Sequence, residues 1–238
     1  MRLDKLLSDR GYGTRKEIKK LLSKQGAVVN GAIVKDPGYQ VQESDAVTFQ
    51  GEEVSCEQFQ YYLFHKPAGC VCANEDHVHQ TIFAYVPNPK NTLFSVGRLD
   101  LDTEGLLLVT NDGKLAHALL SPRRHVDKVY FAKLDLPITD DDIKLFSEGV
   151  DIGDEKLCMP ADLARANEAG DEIRITIKEG RFHQVKRMFE AVGKEVLYLK
   201  RESMGPFTLD DSLPKGVYRT LTEEELSFLE TYTNHTKD

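Results

Sequence analysis

The sequence predicts an α+β protein in two parts, a small N-terminal module and a larger one. Three observations carry this. Residues 1–26 hold two runs of helical periodicity, Leu3, Leu6 and Leu7, then Ile18, Leu21 and Leu22. "AVVNGAIV" places two apolar runs about Asn30-Gly31, a pair that favours a tight hairpin because both residues tolerate positive φ. From Tyr61 onward, strand-like runs such as "YYLFHK" and "LLLVT" mix with short helical patterns.

The first module is basic. Residues 1–35 hold nine Lys/Arg against three Asp/Glu in a chain of net charge −8, so the remainder sums to −14. Such asymmetry points to a module that finds a polyanion. Within it, Gly11 and Gly13 break the first helix, and Thr14 and Glu17 open the second as a capping box. Arg15 with Lys19, and Lys16 with Lys20, stand i, i+4 on its surface. These like-charge pairs repel unless a phosphate backbone neutralises them. Gly26 supplies the stop. "QGEEVSCEQ", residues 50–58, is polar and reads as linker, giving boundaries of 1–50, 51–59 and 60–238.

No apolar run of the 238 residues approaches the roughly 20 a membrane span needs. The N-terminus lacks an apolar signal core, so the expected location is the cytoplasm, with no membrane partner. Cys56, Cys70, Cys72 and Cys158 form no zinc spacing and read as reduced thiols. His77-x-His79 lacks a third ligand and reads as loop histidines facing water, so no metal is expected.

In the larger module, "YYLFHKPAG" is a strand ending in a stiff Pro-x-Gly turn. "LFSVGRLDLD" alternates: Leu99 and Leu101 point to one side, and Arg98, Asp100 and Asp102 to the other. Thr103-Glu104-Gly105 reads as a break with Glu104 exposed. "LLLVT" is a buried strand, and Asp112 shapes the turn before "KLAHALLSP", a helix stopped by Pro122. Alternation leaves Asp100 and Asp102 as equal candidates for chemistry. An Asp-x-Asp pair also serves metal-dependent sugar transfer. That reaction wants a nucleotide-binding α/β unit, and the chain shows neither βαβ alternation nor a Gly-rich phosphate loop.

Resemblance separates the two. "GRLDLDTEGLLLVTNDG" resembles the central motif of RsuA-type pseudouridine synthases. "KPAG" at 66–69, "KVYFAKL" at 128–134 and "EGRFHQVKRMFEAVG" at 179–193 resemble further family motifs in order, and "LKRESMGPFTLDDSLPKGVYRTLTEEEL" resembles the closing pattern. Residues 1–48, with helix, helix and hairpin, resemble the S4 RNA-binding domain. The pairing implies a catalytic domain on a mixed, mostly antiparallel sheet and an enzyme that isomerises uridine in RNA to pseudouridine. It implies structured ribosomal RNA as partner, held through phosphates and shape. No cofactor is implied, because the reaction is an isomerisation.

By the same resemblance Asp100 is the catalytic carboxylate, Tyr130 stacks on the uracil, and Lys186 is the basic partner of Asp100. Arg98 contacts RNA or fills the space of the flipped nucleotide, Leu199 packs under the base, and Arg15, Lys16, Lys19 and Lys20 bind RNA. Local sequence supports Lys186 separately. Val185, Met188, Phe189 and Val192 lie at i, i+3, i+4 and i+7, so Lys186 flanks an apolar stripe and can bring its charge to a partner. "LTEEELSFLETY" reads as a final helix capped by Thr222 and Glu225, with 233–238 loose. Within the family the chain looks most like synthases acting on one uridine of small-subunit ribosomal RNA, position 516 of that RNA, and a monomer is expected. Synthases of similar build act on large-subunit RNA. A non-catalytic S4-type assembly factor would not need Asp100, Tyr130 and Lys186 together.

Overall fold

The computed structural model describes residues 1–56, 59–88, 92–121 and 124–234. The chain divides into two units, Met1–Gln60 with Pro87–Leu93, and Tyr61–Val86 with Phe94–Asp238.

In the first unit, α1 (Leu3–Asp9) and α2 (Arg15–Gln25) pack on a four-stranded antiparallel sheet. Its strands are β1 (Ala27–Val29), β2 (Ala32–Val34), β3 (Val47–Phe49) and β4 (Glu52–Val54), in the order β2-β1-β3-β4. The helical stripes Leu3, Leu6, Leu7, Ile18 and Leu22 bury against Val29, Val47 and Phe49. The Thr14–Glu17 capping box forms, and Gly26 closes α2 with φ +76°. Asn30 and Gly31 turn the β1–β2 hairpin at φ 50° and 81°. The Asn30 side chain also accepts from the Ala46 amide and donates to Asp45, which fixes the entry to β3.

The stretch read as linker departs from expectation. Gln50 and Gly51 repeat the positive-φ turn, at 55° and 83°, and residues 52–54 pair with β3. Val54 and Cys56 enter the core while Glu52 and Glu53 stay exposed. A strand with one buried side chain among charges carries too little alternation to be read. Glu57 and Gln58 lie outside the described residues.

The second unit is built on a larger sheet. Its strands are β5 (Tyr61–Lys66), β6 (Cys70–Val71), β7 (Gln80–Thr81), β8 (Phe94–Ser95), β9 (Glu104–Thr110), β10 (Lys128–Leu134), β11 (Asp162–Arg165), β12 (Glu172–Ile177), β13 (Val196–Met204), β14 (Phe207–Thr208) and β15 (Tyr218–Thr220). The main order is β11-β12-β10-β13-β9-β5-β15, with β14 on β13 and β8 on β9; β6 and β7 pair separately. Along this path every neighbouring pair is antiparallel except β13–β9. Helices α3 (Gly113–Leu120), α4 (Asp140–Glu148), α5 (Gln184–Glu190) and α6 (Glu223–Asn234) complete the unit. Leu115 and Leu119 of α3 and Leu229 of α6 share a core with Leu63, Leu106 and Leu108 of the sheet.

The β13–β9 seam joins the two antiparallel halves, with Arg201 opposite Gly105. A Cβ at position 105 would run into the Arg201 backbone, and its φ is +111°. Only glycine permits that approach. β9 is buried throughout, as its apolar run implies.

Three further expectations change. Residues 98–102 are loop, not strand; β8 ends at Ser95, and Asp100 precedes β9 instead of ending a strand. Glu104 is the buried first residue of β9. α5 ends at Glu190, so Val192 lies past it, half-buried, while Val185, Met188 and Phe189 are buried. Asp112 caps α3, accepting from the Lys114 and Leu115 amides at 3.0 and 3.1 Å. Thr222 and Glu225 form the reciprocal cap of α6. Pro122 and residues 235–238 lie outside the described residues. Among those described, no helix is long and apolar enough to cross a membrane.

Candidate active site

A cleft of about 550 Å³ opens over the centre of the larger sheet. Its floor is Tyr130 and Lys128 of β10 with Leu199 and Arg201 of β13; its walls are the 97–103 loop and the 179–185 segment. Tyr130 stands opposite Arg201 across the β10–β13 pair, so both side chains leave the same face. Asp100, Arg98, Tyr130 and Leu199, predicted from sequence, thus meet in one cavity.

The Asp100 loop is held from below by Lys66. This side chain is fully buried at the end of β5. Its ammonium donates to the carbonyls of Asp100 (3.0 Å), Thr103 (2.8 Å) and Pro67 (3.0 Å). Burial pushes the Lys66 ammonium below its ordinary pKa. The loop closes on itself through Thr103 N–H to the Asp100 carbonyl, and Leu99 N–H donates to Cys72 Sγ at 3.3 Å. The "KPAG" stretch reads as a turn, and nothing in it marks Lys66 as the anchor of a segment 34 residues away.

Lys186 stands between the two aspartates. Its Nζ donates to Asp102 Oδ1 at 2.6 Å and lies 3.7 Å from Asp100 Oδ2. The expected Asp100–Lys186 pair is therefore the longer of two contacts. Burial raises the Asp102 carboxyl, but the Lys186 hydrogen bond and charge outweigh it and leave it below the usual range. His183 Nε2 approaches Asp100 Oδ1 at 3.6 Å. His183 sits at the start of α5 in left-handed conformation, φ 49°, stacked on Phe182 with ring centroids 3.8 Å apart. Phe182 is 74% exposed, an apolar ring at the mouth of the cleft. Arg181 secures this wall through Glu179, Asp154 and the carbonyls of Lys156 and Leu157.

Glu104, expected in water, instead accepts from Tyr198 Oη at 2.7 Å and pairs with Lys215 at 2.7 Å. Burial raises its carboxyl, and Lys215 and Tyr198 more than compensate.

In the first unit Lys16, Lys19 and Lys20 are exposed on α2. Arg15 is exposed but occupied: it donates to Asp4 at 3.0 Å, as does Arg2. Asp4 is fully buried, and these guanidiniums hold its carboxyl down at about 2.

Residues 60–191 match the family of RNA pseudouridylate synthases, and residues 1–47 match the S4 domain. The chain belongs to the RNA pseudouridylate synthase family. As a pseudouridine synthase it is an isomerase. It is 45% identical to the uncharacterized RNA pseudouridine synthase YtzG of Bacillus subtilis, over 96% of this chain and 98% of that one. It is 42% identical to the ribosomal small subunit pseudouridine synthase A of Vibrio vulnificus, over 95% and 98%. A crystal structure of a pseudouridylate synthase, 38% identical, superposes with a TM-score of 0.68 over 96% of this synthase and 99% of that chain.

Proposed function

We propose that this synthase converts one uridine of small-subunit ribosomal RNA, position 516 of that RNA, to pseudouridine, with Asp100 as the catalytic carboxylate. The observation that carries the reading is the convergence of Asp100, Tyr130 and Leu199 on one cleft, with Lys186 3.7 Å from the carboxylate. The cleft takes a nucleotide flipped out of its stack. Tyr130 and Leu199 hold the base, Arg98 stands at the mouth, and Asp100 acts at the ribose or base as the N1–C1′ bond is cut. Lys186 keeps the carboxylate charged and aimed. On α2, Lys16, Lys19 and Lys20 meet RNA phosphates. The name of the Vibrio vulnificus relative supports the small-subunit target.

The test is direct. Purified protein is incubated with small-subunit and large-subunit RNA, and pseudouridines are mapped by chemical labelling and primer extension. One new pseudouridine in small-subunit RNA, absent with Asp100→Asn, is the expected result. A site in large-subunit RNA overturns the target; turnover by Asp100→Asn overturns the residue.

A further inference from the structure

Two cations stand on the floor of the cleft without a carboxylate at hydrogen-bond distance among the described residues. Arg201 is 2% exposed; its Nε donates to the Leu106 carbonyl at 2.8 Å, and one Nη is buried with no partner. Lys128 is also buried, its Nζ donating to the Val126 carbonyl at 2.9 Å. Burial and the Arg201 charge push the Lys128 ammonium below its ordinary pKa, and the more distant carboxylates of Asp127 and Glu179 oppose them without prevailing. Burying two cations in the floor of one cleft costs free energy, which the carbonyl contacts and the charges of Asp127 and Glu179 offset in part. Arg201 faces Tyr130 across the β10–β13 pair, and Lys128 lies two residues before Tyr130 on the same face. Both cations therefore flank the ring on which the base is proposed to lie.

We propose that Lys128 and Arg201 take up the negative charge of the uracil while it is detached from the ribose, an inference that rests on the isomerisation at Asp100 proposed above. Breaking N1–C1′ leaves the electron pair on the base, spread over N1, O2 and O4. Asp100 starts as a carboxylate. Whether it bonds to C1′ or takes the C2′ proton, it loses its charge as the base gains one. Rejoining uses the pair for the C5–C1′ bond and returns Asp100 to the carboxylate, by release from C1′ or by giving the proton back to C2′. C5 then loses its proton, N1 takes one, and the product is neutral. The charge thus travels from the Asp100 wall to the base and back. Charge-assisted hydrogen bonds to the anion are stronger than those to a neutral carbonyl, so the two cations act as the bond breaks and add little to substrate binding.

The experiment compares wild type, Arg201→Gln and Lys128→Gln on an RNA substrate carrying uridine and on the same RNA carrying 5-fluorouridine. Fluorine stabilises the detached base anion without help from the protein. Each variant is expected to lower kcat roughly 100-fold with KM little changed. On the fluorinated RNA C5 carries fluorine in place of the proton to be lost, so the reaction stops once the C5–C1′ bond has formed; the variant's single-turnover rate, read as loss of 5-fluorouridine from the digested RNA, should show a defect several-fold smaller. A rise in KM alone, or an equal defect on both RNAs, overturns the proposal. If Arg201→Gln fails to fold in thermal melts, the Lys128→Gln comparison decides it alone. A wild-type protein inert on the uridine RNA would instead remove the function on which the proposal rests.

Discussion

The Lys186 ammonium donates to Asp102 at 2.6 Å, closer than it stands to Asp100. Asp102 thereby acts as a holder of the cation. Asp102→Asn should retain most activity, because Lys186 still reaches Asp100. Asp100→Asn should abolish turnover while RNA affinity stays within a few-fold. Lys186→Met should lower kcat by about 100-fold. It should cost under about 1 kcal/mol of stability, since the pair is partly solvated. Single-turnover kinetics with thermal melts check all three, and complete loss with Asp102→Asn would reverse the assignment of the two aspartates.

Lys66 ties three carbonyls around the Asp100 loop. Lys66→Met should leave those acceptors unpaired, at about 1–3 kcal/mol. Amides of residues 99–103 should exchange faster with deuterium than in wild type. Unchanged exchange there would show that the loop holds without its anchor.

Glu104 supports Tyr198 and Lys215 from the first position of β9. Glu104→Leu should destabilise by about 1–3 kcal/mol by leaving the half-buried Tyr198 hydroxyl without its acceptor. A denaturant titration that finds no loss would mean that water replaces the carboxylate.

Asp4 titrates at about 2 in the folded protein, below the ordinary carboxyl value of 3.8. A depressed folded pKa stabilises above the unfolded pKa, and that stabilisation is lost as pH falls through the folded value. The melting-temperature gap between wild type and Asp4→Asn should therefore be constant above about pH 5 and shrink toward pH 2. A gap that persists at pH 2 would assign the difference to packing.

On α2, Lys16→Ala, Lys19→Ala and Lys20→Ala should each weaken RNA binding and flatten its salt dependence by about 0.7–0.9 for each phosphate left without its cation. Arg15→Ala should chiefly lower the stability of the first unit, because Arg15 neutralises Asp4. Filter binding at several salt concentrations separates these effects. Equal slopes for all four variants would remove the distinction.

Local patterns determined much of this protein without a structure. The stripes of α1 and α2, the Thr14–Glu17 and Thr222–Glu225 caps, the Asn30-Gly31 hairpin and the all-apolar core of β9 follow from side-chain periodicity and backbone preference among near neighbours. The motifs named the family. Tertiary structure alone decided what depends on groups far apart in the chain. It turned Lys66 into the clamp of the Asp100 loop, drew Glu104 from water to Tyr198 and Lys215, gave Arg15 to Asp4, and set Arg201 beneath the cleft. The physical reason is common to all four. A charged residue reads as solvated and unpaired by default, and only the position of distant carbonyls and counter-charges decides which of them is buried or paired.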